Sequence, residues 1–130
     1  MTQGIEAVTN AALSMALDAA ALRQQLFATN IANANTDGYA PQRLDFEGHV
    51  QDARRRLAER GQLDGVTVAA LAAEPAPVVP LLAANGAPAA VQLDMEVAGM
   101  SQNAVQYQAL LRGLSRQLGI LSLAVGDGKR

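Results

Sequence analysis

Asp45, Glu47 and His49 form the one close acid–imidazole cluster in this 130-residue chain. On a helix, Asp45 and His49 would share a face, and a metal ion could use both. One imidazole and two carboxylates, with no second His and no Cys, make a poor ligand set. His49 therefore reads as a surface or half-buried polar residue, and no metal is assigned. The absence of Cys excludes disulfides, thiol nucleophiles and Cys-type zinc sites. There is no Gly-rich phosphate loop, nucleophile elbow or cofactor fingerprint, and the few Ser and Thr have no His nearby. No catalytic residue, cofactor or small-molecule substrate follows from this inventory. Arg54, Arg55, Arg56 and Arg60 could meet phosphate or anionic lipid. Asp52 and Glu59 neutralise part of that run, so it reads as a solvated helix face. A net charge of −2 also argues against a nucleic-acid partner.

The elements that would position these residues are helical. Half of the residues are hydrophobic but only 3% are aromatic, and a core of Ala and Leu suits helices packed side by side. From about Gly4 to Ala32, the residues Ile5, Val8, Ala12, Met15, Ala19, Leu22 and Leu26 follow the heptad period. A second apolar line, Leu13, Leu17, Ala20, Phe27 and Ile31, runs beside it, interrupted by Gln24. No charge occurs from Ala7 to Leu17. The segment resembles a secretory signal only in composition. Glu6 stands where a basic region belongs, Asp18 breaks the apolar part, and no Lys or Arg precedes Arg23. No uninterrupted apolar run approaches the roughly 20 residues that cross a bilayer.

A short amphipathic helix is expected from Phe46 to Arg60, stopped by Gly61. Beyond it, Val66-Thr67-Val68 suggests a short strand, and Pro75, Pro77, Pro80 and Pro88 favour extended backbone, with a possible small hairpin. The last element is the most regular. Leu93, Val97, Met100, Ala104, Tyr107, Leu111, Leu114, Leu118, Leu121 and Val125 keep a four-three alternation over four heptads. No charge occurs from Val97 to Leu111, so a charge code for choosing a partner is missing. Gly99, Gly113 and Gly119 would let another backbone approach. The N-terminal helix is net acidic and the C-terminal one net basic, a weak, salt-screened bias towards pairing. The expected fold is mainly α: two long N- and C-terminal heptad helices pairing as an antiparallel coiled coil, with a small irregular or β middle. By domain, residues 1–40 and 91–130 form the terminal-helix unit and 41–90 a variable middle.

Between the first helix and the middle lies Thr29-Asn30-Ile31-Ala32-Asn33-Ala34-Asn35-Thr36-Asp37-Gly38-Tyr39. Asn tolerates the left-handed backbone that closes helices, and its amide can bond free carbonyls. Asp37-Gly38 supplies a tight turn. Local chemistry alone makes this a helix end followed by a turn.

The same stretch, with Asn30, Ile31, Ala32, Asn33, Asn35, Thr36, Gly38 and Tyr39, resembles the N-terminal signature of the flagellar basal-body rod protein family, the axial proteins of rod and hook. Asp37 replaces the Pro common there. Leu44-Asp45-Phe46-Glu47, Val91 to Glu96, Gln106 to Leu110 and Leu114-Ser115-Arg116 fit the short proximal-rod members. The likeness covers both ends, about two-thirds of the chain. It implies a structural subunit whose terminal helices pair and pack against neighbours through Ile5, Val8, Met15, Leu22, Leu26 and the C-terminal heptad residues. It further implies other rod subunits and the protein linking rod to membrane ring as partners, a place in the periplasmic rod, and type III export without a cleaved signal peptide. A different rod subunit of the same family, or a soluble helical adaptor or chaperone-like dimer, would use the same heptads.

Overall fold

In the computed structural model, residues 2–61 and 64–128 are described. Six elements follow in order: α1 (Thr2–Ala32), β1 (Gln42–Leu44), α2 (Phe46–Arg60), α3 (Gly65–Ala73), β2 (Val78–Pro80) and α4 (Leu93–Asp127). The molecule is mainly helical, and its two long helices pack against each other. With a rise of 1.5 Å per residue, α1 and α4 are about 46 and 52 Å long. They run antiparallel. Asn30 meets Glu96, Phe27 lies on Gly99, Gln24 meets Asn103 and Leu13 lies on Gly113.

The two apolar lines of α1 have different partners. Leu13, Ala20, Gln24 and Phe27 face α4. The polar interruption at Gln24 has a use there, because its Oε1 accepts Asn103 Nδ2 at 2.9 Å. The other line turns to the middle segment: Ala19, Leu22 and Leu26 join Leu44, Phe46 and Ala76 in one cluster. Arg23 lies over the Phe46 ring, 5.1 Å from its centroid.

The middle is built on caps. Asp45 Oδ1 accepts Gly48 N–H at 3.1 Å and opens α2, and Gly61 closes it with φ 65°. These are the expected bounds of that helix, and they follow from a short acidic acceptor at one end and a residue free of Cβ strain at the other. The strand expected at Val66-Thr67-Val68 is instead the start of α3. Asp64 accepts both the N–H and the hydroxyl of Thr67, at 2.6 and 2.9 Å. Val68, Leu71 and Ala72 are then buried at helical spacing, and α3 packs on α1. Capping and one-sided burial outweigh the β-branched triplet. The two strands pair antiparallel, with Gln42 opposite Pro80 and Leu44 opposite Val78. Pro80 lacks an N–H, which is harmless here because Gln42 directs its own polar groups to the other side. A small hairpin forms further on, where Leu82 bridges Pro88 around the turn at Gly86.

By length and averaged hydropathy, Gly4–Ala32 is apolar enough to cross a membrane, although no uninterrupted run is. Alanine accounts for the difference, since it raises the average while Asn10, Ser14, Asp18, Arg23 and Gln24 interrupt the sequence.

Candidate assembly interface

At the C-terminal end of α1 a polar clamp holds three elements together. Asn30 is only 2% exposed. Its Oδ1 accepts Gln42 N–H at 2.9 Å and the Tyr39 hydroxyl at 2.7 Å. Its Nδ2 donates to Gln42 O and to Glu96 Oε2, each at 3.0 Å. All four hydrogen-bonding positions of a primary amide are therefore filled. Two of them pair with both main-chain groups of Gln42, as a neighbouring strand would. The side chain acts as a single peptide unit laid along the outer edge of β1, and it also reaches α4 through Glu96. Partial burial and the nearby Glu96 carboxylate, in that order, hold the Tyr39 phenol above its usual range.

The other asparagines work locally. Asn33 donates to Thr29 O at 2.9 Å and accepts the Thr36 hydroxyl at 3.2 Å, while Asn35 is exposed. None takes the left-handed backbone that their type suggested. Positive φ occurs only at Gly38, Gly61 and Gly86 among the described residues. The asparagines stabilise the turn through their amides, and the conformational work falls to Gly38.

The acid–imidazole cluster is dispersed into structural uses. Asp45 is committed to the α2 cap, and Glu47 is exposed. His49 is buried, its Nε2 without a partner among the described residues, beside a cavity of about 210 Å³ that Met15, Leu22 and Phe46 help line. Arg56 of the arginine run pairs with Asp52 at 3.0 Å and with Glu74 at 2.9 Å, so part of that face is internally neutralised. No ion pair joins α1 to α4 among the described residues. The helices meet through apolar and amide groups and, at one end, the Glu96 carboxylate.

The C-terminal heptad is split between two surfaces. The more protected residues of α4 are Glu96, Gly99, Met100, Asn103, Tyr107, Leu110, Gly113, Leu114, Gln117 and Leu121. This seam shares only Met100, Tyr107, Leu114 and Leu121 with the line read from sequence. Leu93, Val97, Ala104, Leu111, Leu118 and Val125 are exposed. The apolar stripe is broader than one neighbour needs, so the pattern permits either seam. The seam that forms is the one in which Asn103 donates to Ala20 O and Gln24 Oε1 and Gly99 receives the Phe27 ring. A Cβ at position 99 would sit 2.6 Å from Phe27 Cε1. Gly113 makes ordinary contact and Gly119 none. On α1, Ile5 and Val8 are exposed, Met15 and Leu22 half-buried and Leu26 buried. Met95, Val105, Ile120 and Leu123 are also exposed, which leaves α4 apolar on nearly every side. A helix apolar all round is normally buried in something larger.

Fold and surface together define a helix-pairing protein with long apolar faces left over. No family model matches the chain. It is similar to the flagellar basal body rod protein FlgB of Escherichia coli (strain K12), 30% identical over 118 residues, covering 79% of this chain and 82% of the relative. FlgB of Shigella flexneri is similar to the same extent. The chain belongs to the FlgB family of flagellar basal body rod proteins.

Proposed function

We propose that this chain is a structural subunit of the proximal flagellar rod and has no enzymatic role. Its terminal units, residues 1–40 and 91–130, form the wall of the torque-transmitting tube, and residues 41–90 form a variable outer part. Its partners are other rod subunits and the protein that links rod to membrane ring, reached after type III export. The observation that carries this reading is the outer surface of α4, where Val97, Val105, Leu111, Leu118, Ile120 and Leu123 are each more than 40% exposed. Such a surface suits a heterologous contact that does not close, which generates a helical filament. The Asn30 clamp then has a geometric role. It sets where α1 ends and holds β1 against the start of α4.

The test is complementation of a strain lacking its own copy. The unaltered chain restores swimming and is recovered in purified basal bodies. Ala104→Glu and Leu111→Glu are expressed and folded but fail to enter rods, because a charge is placed in an apolar contact. Normal motility with either substitution refutes the packing claim.

A further inference from the structure

Asn85 is the only Asn in the chain that Gly follows, and the pair stands at the tip of the small hairpin between β2 and α4. Both residues are exposed. Gly86 has a φ of 81°, and nothing lies within 4 Å of where its Cβ would be. Main-chain bonds close the turn. Gly86 N–H donates to Ala83 O at 2.9 Å, and Ala83 N–H donates to Ala87 O at 2.8 Å. The Asn85 side chain folds forward, and its Oδ1 accepts Ala87 N–H at 3.0 Å, an Asx turn that this residue type forms readily. That bond draws electrons from the amide carbon Cγ and holds it beside the chain that follows. A polarised amide carbon next to an unhindered main-chain nitrogen is set for intramolecular attack. The acidic residues that precede Gly are less suited. Asp37, Asp64 and Asp127 offer carboxylates, which resist a nucleophile when ionised, and Asp64 is already held by Thr67.

We propose that Asn85 is a site of spontaneous deamidation, gated by the turn that holds it. In the closed turn the Gly86 N–H is committed to Ala83 O, which keeps its proton from base. Exposed hairpin tips open locally at little cost. In the open turn hydroxide takes the Gly86 N–H proton, and the nitrogen bonds to Asn85 Cγ. The Cγ–Nδ2 bond breaks, and Nδ2 leaves as ammonia with a proton from water. The cyclic imide then takes up water. Cleavage of its bond from Cγ to Gly86 N gives aspartate at position 85. Cleavage of its bond from the main-chain carbonyl carbon to Gly86 N gives isoaspartate. Gly86 N recovers a proton either way, and nothing is oxidised or reduced. The two products act differently on the hairpin. The aspartate keeps the main chain, and its carboxylate accepts Ala87 N–H more strongly than the amide does. The isoaspartate inserts an extra carbon between residues 85 and 86, so the Gly86 and Ala87 N–H groups no longer meet their acceptors together. The bridge from Leu82 to Pro88 loosens with them. The lesion is adjacent to β1, because Leu81 N–H donates to Pro41 O at 2.7 Å and Leu81 O accepts Ala89 N–H at 3.0 Å.

The full chain is aged in mildly alkaline buffer. Peptide mass spectra locate the amide-to-acid mass gain, and a protein isoaspartyl methyltransferase labels the isoaspartate. The gain comes first at Asn85, ahead of Asn33 and Asn35, and both products form. Its rate rises about tenfold per pH unit, because the nucleophile is a deprotonated amide. Unfolding the chain in guanidinium raises the rate about fivefold or more, the factor held back by one turn bond. Asn85→Gln shows no gain at that position over the same period. In the separated isoaspartate fraction the Ala83 and Ala89 amides exchange hydrogen faster than in the fresh chain, while those of α1 and α4 do not change. Asn85→Asp, which adds the charge without lengthening the chain, exchanges as the fresh chain does. The proposal is overturned if another Asn gains mass first, or if aspartate forms without isoaspartate, the mark of direct hydrolysis. It is equally overturned if the unfolded chain reacts no faster than the folded one, or if the isoaspartate fraction exchanges like the fresh chain.

Discussion

Replacing Asn30 by Ala removes four hydrogen bonds at once. Three are to neutral groups, the Gln42 N–H, the Gln42 carbonyl and the Tyr39 hydroxyl. At a net value of about 1 kcal/mol each, these amount to about 3 kcal/mol. The fourth, to the Glu96 carboxylate, is charge-assisted and adds about 1.5 kcal/mol or more. Tyr39 and Glu96 are only half-buried, so water recovers part of both. A loss of about 3 kcal/mol remains. For a chain between the usual small and medium size classes, that corresponds to about 10 °C in midpoint. Thermal and urea unfolding of the full chain, followed by far-ultraviolet circular dichroism, measures it. Asn30→Asp sharpens the assay. The replacement keeps both accepting contacts but loses both donations and brings a second carboxyl to Glu96. Ionising it opposes the folded state, whose proton is held more tightly than in the unfolded chain. The deficit relative to the unaltered chain therefore shrinks as the pH falls from about 8 to about 5. A midpoint for Asn30→Ala within about 2 °C of the unaltered chain would show that the clamp carries no weight. A pH-independent deficit in Asn30→Asp would refute the contact with Glu96.

Three further outcomes are expected. Gly99→Ala gains up to about 1 kcal/mol of helix propensity but drives a methyl into the Phe27 ring, an overpacking loss of about 1–3 kcal/mol. The net is a destabilisation of about 1 kcal/mol that Phe27→Leu in the same chain reverses, as denaturant midpoints would report. The Tyr39 phenol is held above its ordinary value of 10.0. Its contribution is complete below pH 10 and is lost as the pH rises through the higher folded value. Tyr39→Phe flattens that alkaline limb in a pH series of thermal midpoints. Asp64 is held below its ordinary value, first by the Thr67 N–H and then by the Thr67 hydroxyl. Stability from this cap is present above pH 3.8 and declines as the pH falls through the lower folded value. Asp64→Asn removes that acid dependence.

What could be read from residue order divides along physical lines. α2 was legible from its apolar spacing and its stop at Gly61, and the cap that Asp45 supplies at its start is an equally local feature. The long helices were legible because their periodicity runs for many turns. α3 was masked by Val66-Thr67-Val68, although Asp64 three residues before Thr67 is itself a capping signal. The seam of α4 could not be chosen from its pattern. Leu111 and Leu110 satisfy period and polarity equally well, and what separates them is Gly99 meeting Phe27 and Asn103 meeting Gln24, 72 and 79 residues away in the chain. The signature was visible as a cluster of asparagines, but their division of labour was not. Asn30 finds its partners at Gln42 and Glu96, 12 and 66 residues away, and no local rule points to either.

The amide of Asn30 along β1 has a consequence for the unassembled chain. A two-stranded sheet has two open edges, and an open edge is a template on which another extended chain can grow. On β1, the polar groups of Gln42 that would start such growth are already occupied by a side chain of the same molecule. On β2, Pro80 lacks the donor that growth requires. Chains with so much apolar helix surface exposed meet readily. With one position on each strand edge blunted, such encounters are biased towards helix against helix and away from the cross-strand pairing that leads to amyloid.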